Sequence, residues 1–270
     1  MAIAPLDLAE VKTRQQSTWA SGDYSAIGAL VVPVAEALAD AADLRAGTTV
    51  LDVASGSGNA ALAAARLGAV VTGIDYVPAL LDRGRERAAA ERLGIDFRHG
   101  DAEDIPFPDE SFDAAVSVLG SMFAPDHRRA AAELVRVTRP GGTIALASWT
   151  PDGFVGAMFR TIASRVPPPA GLASPTLWGT EEHLDELFGP EVAWTHKRRT
   201  FTFRFTSPEA FVESFAEYYG PTVKALEAAG SARDALAGEL RELAHSWNRL
   251  EQPGPIAVPS AYLESVGLRR

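Results

Sequence analysis

A chain of 270 residues, 47% of them hydrophobic, can bury a substantial core as one domain with an appendage, and it offers no uninterrupted apolar run of the roughly 18 residues a membrane-spanning helix needs. With no cysteine, disulfides, thiolate metal ligands and a cysteine nucleophile are excluded, and the five histidines are too scattered to suggest a metal site. A net charge of −10 opposes a nucleic-acid backbone, and residues 1–16 lack the basic flank and apolar centre of a secretion signal, so the expected setting is cytoplasmic, with neither nucleic acid nor membrane as partner.

Between residues 49 and 149 buried-strand runs alternate with helical patterns, the signature of a parallel sheet with right-handed crossover helices. Strands are expected at 49–54, 70–75, 96–99, 112–119 and 143–149, and helices at 59–67, 78–93 and 126–138. Arg139-Pro140-Gly141-Gly142 is expected to separate the last of these helices from the last strand, because proline cannot continue a helix and paired glycine frees the turn. Val166-Pro167-Pro168-Pro169 reads as a rigid surface loop, and a short helix follows at 180–188. Residues 192–205 alternate Phe201, Phe203 and Phe205 with polar residues, predicting a long strand or hairpin whose basic run, Lys197-Arg198-Arg199, is a solvated strand edge. Residues 207–250 are helical, with Ser207 as N-cap, Pro208 in the first helical position, and breaks near Gly220-Pro221 and Gly230. A final strand is expected at 256–268. The predicted fold is α/β: a doubly wound, Rossmann-like, mostly parallel sheet of seven strands with a helical cap inserted late in the chain.

The chemistry-bearing region is Val50-Leu51-Asp52-Val53-Ala54-Ser55-Gly56-Ser57-Gly58-Asn59, a strand entering a glycine-rich turn and then a helix, where a backbone without side chains lets a ligand approach closely. Alone, Gly56-x-Gly58-x-x-Ala61 also satisfies the dinucleotide fingerprint, which leaves a nicotinamide-dependent oxidoreductase open. Three acids at or just past strand ends, Asp52, Asp75 and Asp101, add a second signal, because a doubly wound sheet brings those ends to one crevice. One such aspartate is ordinarily a cap or turn former; three in register with a glycine turn point to a ligand. A pocket that acidic opposes a pyrophosphate and suits a ligand carrying an ammonium, a sulfonium and a single carboxylate. Asp75 is placed to accept hydrogen bonds from ribose hydroxyls and Asp101 from an adenine amino group, whereas Asp104, Asp109 and Glu110 read as loop residues.

The segments VLDVASGSGNAAL, GIDYVPALLDRGRERA, GDAEDIPFPDESFDAAVS, MFAPD and VTRPGG, in this order over about residues 48–149, resemble the class I S-adenosylmethionine-dependent methyltransferases, in the branch similar to ubiquinone/menaquinone-biosynthesis C-methyltransferases. The resemblance implies S-adenosylmethionine as methyl donor and S-adenosylhomocysteine as product. It implies that Ala54, Ser55 and Gly56 approach the methionine part, Asp75 and Tyr76 the ribose and adenine, Asp101 and Ala102 the adenine, and Val118 and Leu119 the sulfonium side. Asp52, Asn59, Leu80 and Glu103 complete the expected donor set within the core. Ala54 is a departure, standing where many relatives carry the first glycine of the turn.

By the same resemblance residues 1–45 form a helical lid that brings Trp19 and Tyr24 over the donor, residues 46–206 the core, residues 207–252 a cap above the acceptor site, and residues 253–270 a strand returning to the sheet. Met122, Trp149, Trp178, Tyr218 and Tyr219 are the expected acceptor contacts, the last two because adjacent helix residues cannot both face one core. Transfer from a sulfonium is an in-line displacement that needs proximity and exclusion of water rather than an obligatory base. If a base assists, His127 is the nearest candidate, its other reading being a solvated first-turn residue. The expected function is methylation of a small-molecule O, N or C nucleophile by a monomer or homodimer; the competing readings are the oxidoreductase and a non-catalytic donor-binding protein.

Overall fold

Strands β1 (Thr49–Val53), β2 (Val70–Asp75), β3 (Ile95–His99), β4 (Phe112–Val118), β5 (Thr138–Trp149), β6 (Val192–Phe205) and β7 (Ile256–Arg269) form a single sheet in the order β3-β2-β1-β4-β5-β7-β6 in the computed structural model, which describes residues 6–270. Residues 1–5 of the expected lid lie outside the described residues. The first five strands are parallel, and β7 runs antiparallel between β5 and β6. The order reverses between β1 and β4, so the carboxyl ends of these neighbours open a crevice at the switch point. Strands at the centre of such a sheet are covered on both faces, which is why Val50, Leu51, Ala115, Ile144 and Ala145 are completely buried.

The helices are α1 (Leu8–Trp19), α2 (Tyr24–Leu30), α3 (Val32–Ala41), α4 (Asn59–Arg66), α5 (Pro78–Glu91), α6 (His127–Val137), α7 (Phe154–Arg165), α8 (Glu181–Phe188), α9 (Pro208–Tyr218), α10 (Gly220–Ala228) and α11 (Arg233–Ser246). Asp7 caps α1 by accepting from the Ala9 and Glu10 amides, Asp126 caps α6, and Ser207 caps α9, each satisfying amides that the first turn leaves open. Phe97 on β3 explains the close seating of α4 and α5: a Cβ at Gly58 would stand 2.7 Å from its ring and one at Gly84 2.9 Å. No single helix among the described residues is long and apolar enough to cross a membrane.

The glycine-proline punctuation at residues 139–142 acts differently from the expected separator. α6 ends at Val137 and β5 begins at once with Thr138, which pairs with Phe112 before the register jumps so that Ala114 faces Thr143. Pro140, lacking an N–H, and the two glycines are taken up in that irregularity, where β7 does not yet flank β5. The late helical stretch breaks into α9, α10 and α11 near the expected residues. β6 is a sheet edge; Arg199 pairs with the buried Glu264 and Arg198 with Asp152, while Lys197 is exposed.

Candidate functional site

The turn joining β1 to α4 is built on positive φ angles at Ala54 (54°), Gly56 (53°) and Gly58 (83°). Glycine adopts them freely, whereas alanine does so at a cost of about 1–2 kcal/mol. Two buried carboxylates brace this turn. Asp52 Oδ2 accepts from the Ala61 amide at 2.8 Å, and Asp75 takes the Gly56 amide on Oδ2 and the Val77 amide on Oδ1, each at 2.8 Å. Burial pushes Asp52 up to about 8, its bond from Ala61 only partly compensating. Burial also raises Asp75, to about 6, with the amides of Val77, Gly56 and Tyr76 pulling against it. At neutral pH Asp75 is therefore ionised and Asp52 largely neutral, so the ring of acids carries less charge than its composition suggests.

Both line one cleft of about 850 Å³, open mouth included, together with Asp101. Of the expected donor residues Trp19, Tyr24, Asp52, Ala54, Ser55, Gly56, Asn59, Asp75, Tyr76, Leu80, Asp101, Ala102, Val118 and Leu119 face this cleft. Glu103 does not: its carboxylate turns to the Lys12 ammonium and the Asp126 amide. The Asn59 side chain is committed to a strut, donating to the Gly28 carbonyl and accepting from Arg87. Lys12, Val31, Phe123 and Pro125 also line the cleft without having been expected; α1, the junction of α2 and α3, and the turn after β4 bring them in. A nucleoside-sulfonium donor fits the residues present. Ser55 Oγ is buried at the turn without a partner, and a Cβ on Gly56 would meet only the Tyr24 ring, at 3.7 Å, leaving an open cradle over the backbone.

A second cavity, of about 340 Å³, shares Tyr24, Val31, Leu119 and Phe123 with the first and continues between Trp149, Val155, Met158, Phe203, Phe215 and Tyr219. Its lining contains no charged residue. Trp19 closes the junction, its ring edge-on to Phe123 at 4.8 Å, Tyr24 at 5.5 Å and Tyr219 at 5.7 Å. Burial raises the Tyr24 hydroxyl to about 12, and Tyr219 well above its ordinary value, so both keep their protons at neutral pH.

The structure separates the expected acceptor residues. Trp149 and Tyr219 line the second cavity; Met122 and Trp178 are packed in the core, and Tyr218, at the end of α9, is half-buried against the core and lines neither cavity. His127 is neither a solvated residue nor within the donor cleft. It is buried, with Nδ1 2.9 Å from His183 Nε2, and burial together with the neighbouring imidazole lowers it to about 4. Its ring borders a different depression, beside Asp126 and Leu187, so it is not placed to serve as base.

Residues 51–146 match the model of a methyltransferase domain family. The chain belongs to the class I S-adenosylmethionine-dependent methyltransferases. Within them it belongs with a group of mycobacterial proteins: an uncharacterised protein of Mycobacterium tuberculosis is 42% identical over 229 residues, covering 83% of each chain. A demethylmenaquinone methyltransferase of Deinococcus radiodurans is 40% identical over 126 residues, 45% of this chain and 52% of that protein. The fold is shared with the YcgJ protein of Bacillus subtilis (TM-score 0.61, 20% identity, covering 87% of this chain and 97% of that one). It is shared also with the cyclase SpnF (TM-score 0.56, 22% identity, covering 88% and 80%), a reminder that this scaffold hosts more than one chemistry.

Proposed function

We propose that this enzyme methylates a small, predominantly apolar acceptor held in the second cavity, with the donor seated in the first. The observation that carries the reading is the junction at Tyr24, Val31, Leu119 and Phe123, where an acid-lined cleft adjoins a cavity without charge. In this reading Asp75 accepts from the donor's ribose, Tyr76, Asp101 and Ala102 border its adenine, and the backbone at 54–56 receives its methionine part. The donor supplies an electrophilic methyl group on a sulfonium. The protein's part is to align the acceptor atom within about 3–3.5 Å and to keep water out, which Trp19 and the aromatic lining serve.

No side chain at the junction is a base at neutral pH, since Tyr24 and Tyr219 hold their protons. The acceptor atom is then nucleophilic on arrival or loses its proton to solvent after transfer, and the two hydroxyls are placed to donate to a polar group on an otherwise apolar molecule. An uncharged ring compound, of the kind the Deinococcus relative's name denotes, suits this lining. Incubation with isotopically labelled S-adenosylmethionine and a metabolite extract, followed by mass spectrometry, is expected to yield a labelled apolar product. Donor binding without any labelled product would point instead to a non-catalytic binding protein.

A further inference from the structure

Helix α1 places Lys12 and Trp19 on the donor cleft, and Lys12 is the only cation in its lining among the described residues. Lys12 Nζ stands 2.6 Å from Asp101 Oδ2 and 2.6 Å from Glu103 Oε2. One turn on, Gln16 Nε2 donates to the Tyr76 carbonyl at 2.6 Å, and a turn later Trp19 closes the junction of the two cavities. Both carboxylates are fixed from behind by backbone amides: Asp101 Oδ1 accepts from Glu103 at 2.9 Å, and Glu103 Oε1 from Asp126 at 2.8 Å. Their remaining oxygens converge on one ammonium. Burial alone would ease the proton off Lys12; the hydrogen bonds it donates to Asp101 and Glu103 outweigh that and raise its pKa, keeping it charged.

Without that ammonium, Glu103, whose side chain is only 5% exposed, would be a buried carboxylate facing a second one, an arrangement that costs far more than an exposed pair. The pair is thus part of how the cleft is built, and it joins α1 to the loop after β3. Asp101 itself lines the cleft, on the side where the donor reading puts the adenine.

We propose that Lys12 is a positioning residue of the transfer reaction: its paired contacts aim the Asp101 carboxylate at the adenine end and pin α1 across the cleft, so the opening of this ion pair gates donor entry and product exit. This rests on the donor reading above. The experiment is stopped-flow measurement of S-adenosylhomocysteine dissociation, read by tryptophan fluorescence, as salt is raised from about 0.05 to about 0.5 M. The wild-type rate is expected to rise with salt, because screening weakens the pair. Lys12→Met, which keeps the aliphatic stem, is expected to release product about tenfold faster, with a flatter salt response. Lys12→Arg restores the slow, salt-sensitive release, and Glu103→Gln, which retains one partner, lies between. A Lys12→Met rate and salt response equal to the wild type overturn the inference; so do equal rates in Lys12→Arg and Glu103→Gln should the methionine variant not fold. Failure of the wild-type protein to bind the product at all overturns the donor reading itself.

Discussion

Ala54 and Leu119 end adjacent strands in the left-handed region, at φ 54° and 56°, and both line the donor cleft. Strain of this kind persists where the surrounding structure over-determines the backbone, and here it presses the chain against the space a ligand would fill. Asp52 carries the other residue-scale tension, a carboxyl buried deeply enough to be raised to about 8. Its folded value lies above the unfolded value of about 3.9, so its contribution to stability is complete below that pH and is lost as pH rises through about 8. Asp52→Asn keeps an oxygen for the Ala61 amide and does not titrate. Relative to the wild type, its melting temperature is expected to be higher at pH 8.5 than at pH 4.5 by roughly 5–10 °C, about 4 kcal/mol; scanning calorimetry at both values tests this. Asp75, raised to about 6, works in the opposite sense for a cationic ligand, which binds the ionised form. Calorimetric donor affinity should climb between pH 5 and pH 7, and Asp75→Asn should lower it about tenfold or more and flatten the dependence.

Helix α1 is held as an element by close backbone approach as well as by charge. A Cβ at Gly220, the first residue of α10, would lie 2.1 Å from the Thr18 carbonyl at the end of α1, so no side chain fits between the two helices. Gly220→Ala is expected to cost about 1–3 kcal/mol in urea unfolding and to weaken donor binding, because α1 must shift to admit the methyl group. Gly238→Ala, in the interior of α11 with open space around it, should instead gain about 0.5–1 kcal/mol and leave binding unchanged. The contrast shows what sequence can carry. β1, β2 and β4 were legible because strands covered on both faces must be apolar runs, and the glycine turn was legible because its φ angles demand small residues. The contact between Thr18 and Gly220 joins residues some two hundred positions apart, and neither has a periodicity that announces it. The same holds for Lys12, whose partners are chosen by the docking of α1. His127 was misread for the complementary reason: a polar residue in the first turn of a helix is usually solvated, and here α8 seated over α6, with His183 and Trp178 against the ring, buries it.

At the scale of the whole molecule, a charge of −10 and a cleft edged by Asp75 and Asp101 are expected to favour a cationic nucleoside ligand over an anionic one. S-adenosylmethionine brings a sulfonium, an ammonium and one carboxylate, a net positive ligand. NADH brings a pyrophosphate that would sit against the same carboxylates in a partly dry cleft, where like charges repel strongly. Because the native cleft is assembled from β1, β2, α1 and the loops after β3 and β4, unfolding destroys it completely, and a ligand specific for it stabilises the entire chain by mass action. A donor present at about 100 times its dissociation constant adds about 2.7 kcal/mol, equivalent to about 5–10 °C in the melting temperature of a protein this size. Thermal denaturation with S-adenosylmethionine should show that rise, larger at pH 7 than at pH 5 because Asp75 then carries its charge, and NADH at the same concentration should leave the midpoint in place. A shift with NADH alone would mean that the glycine turn receives a pyrophosphate and that the acids beside it are only its scaffold.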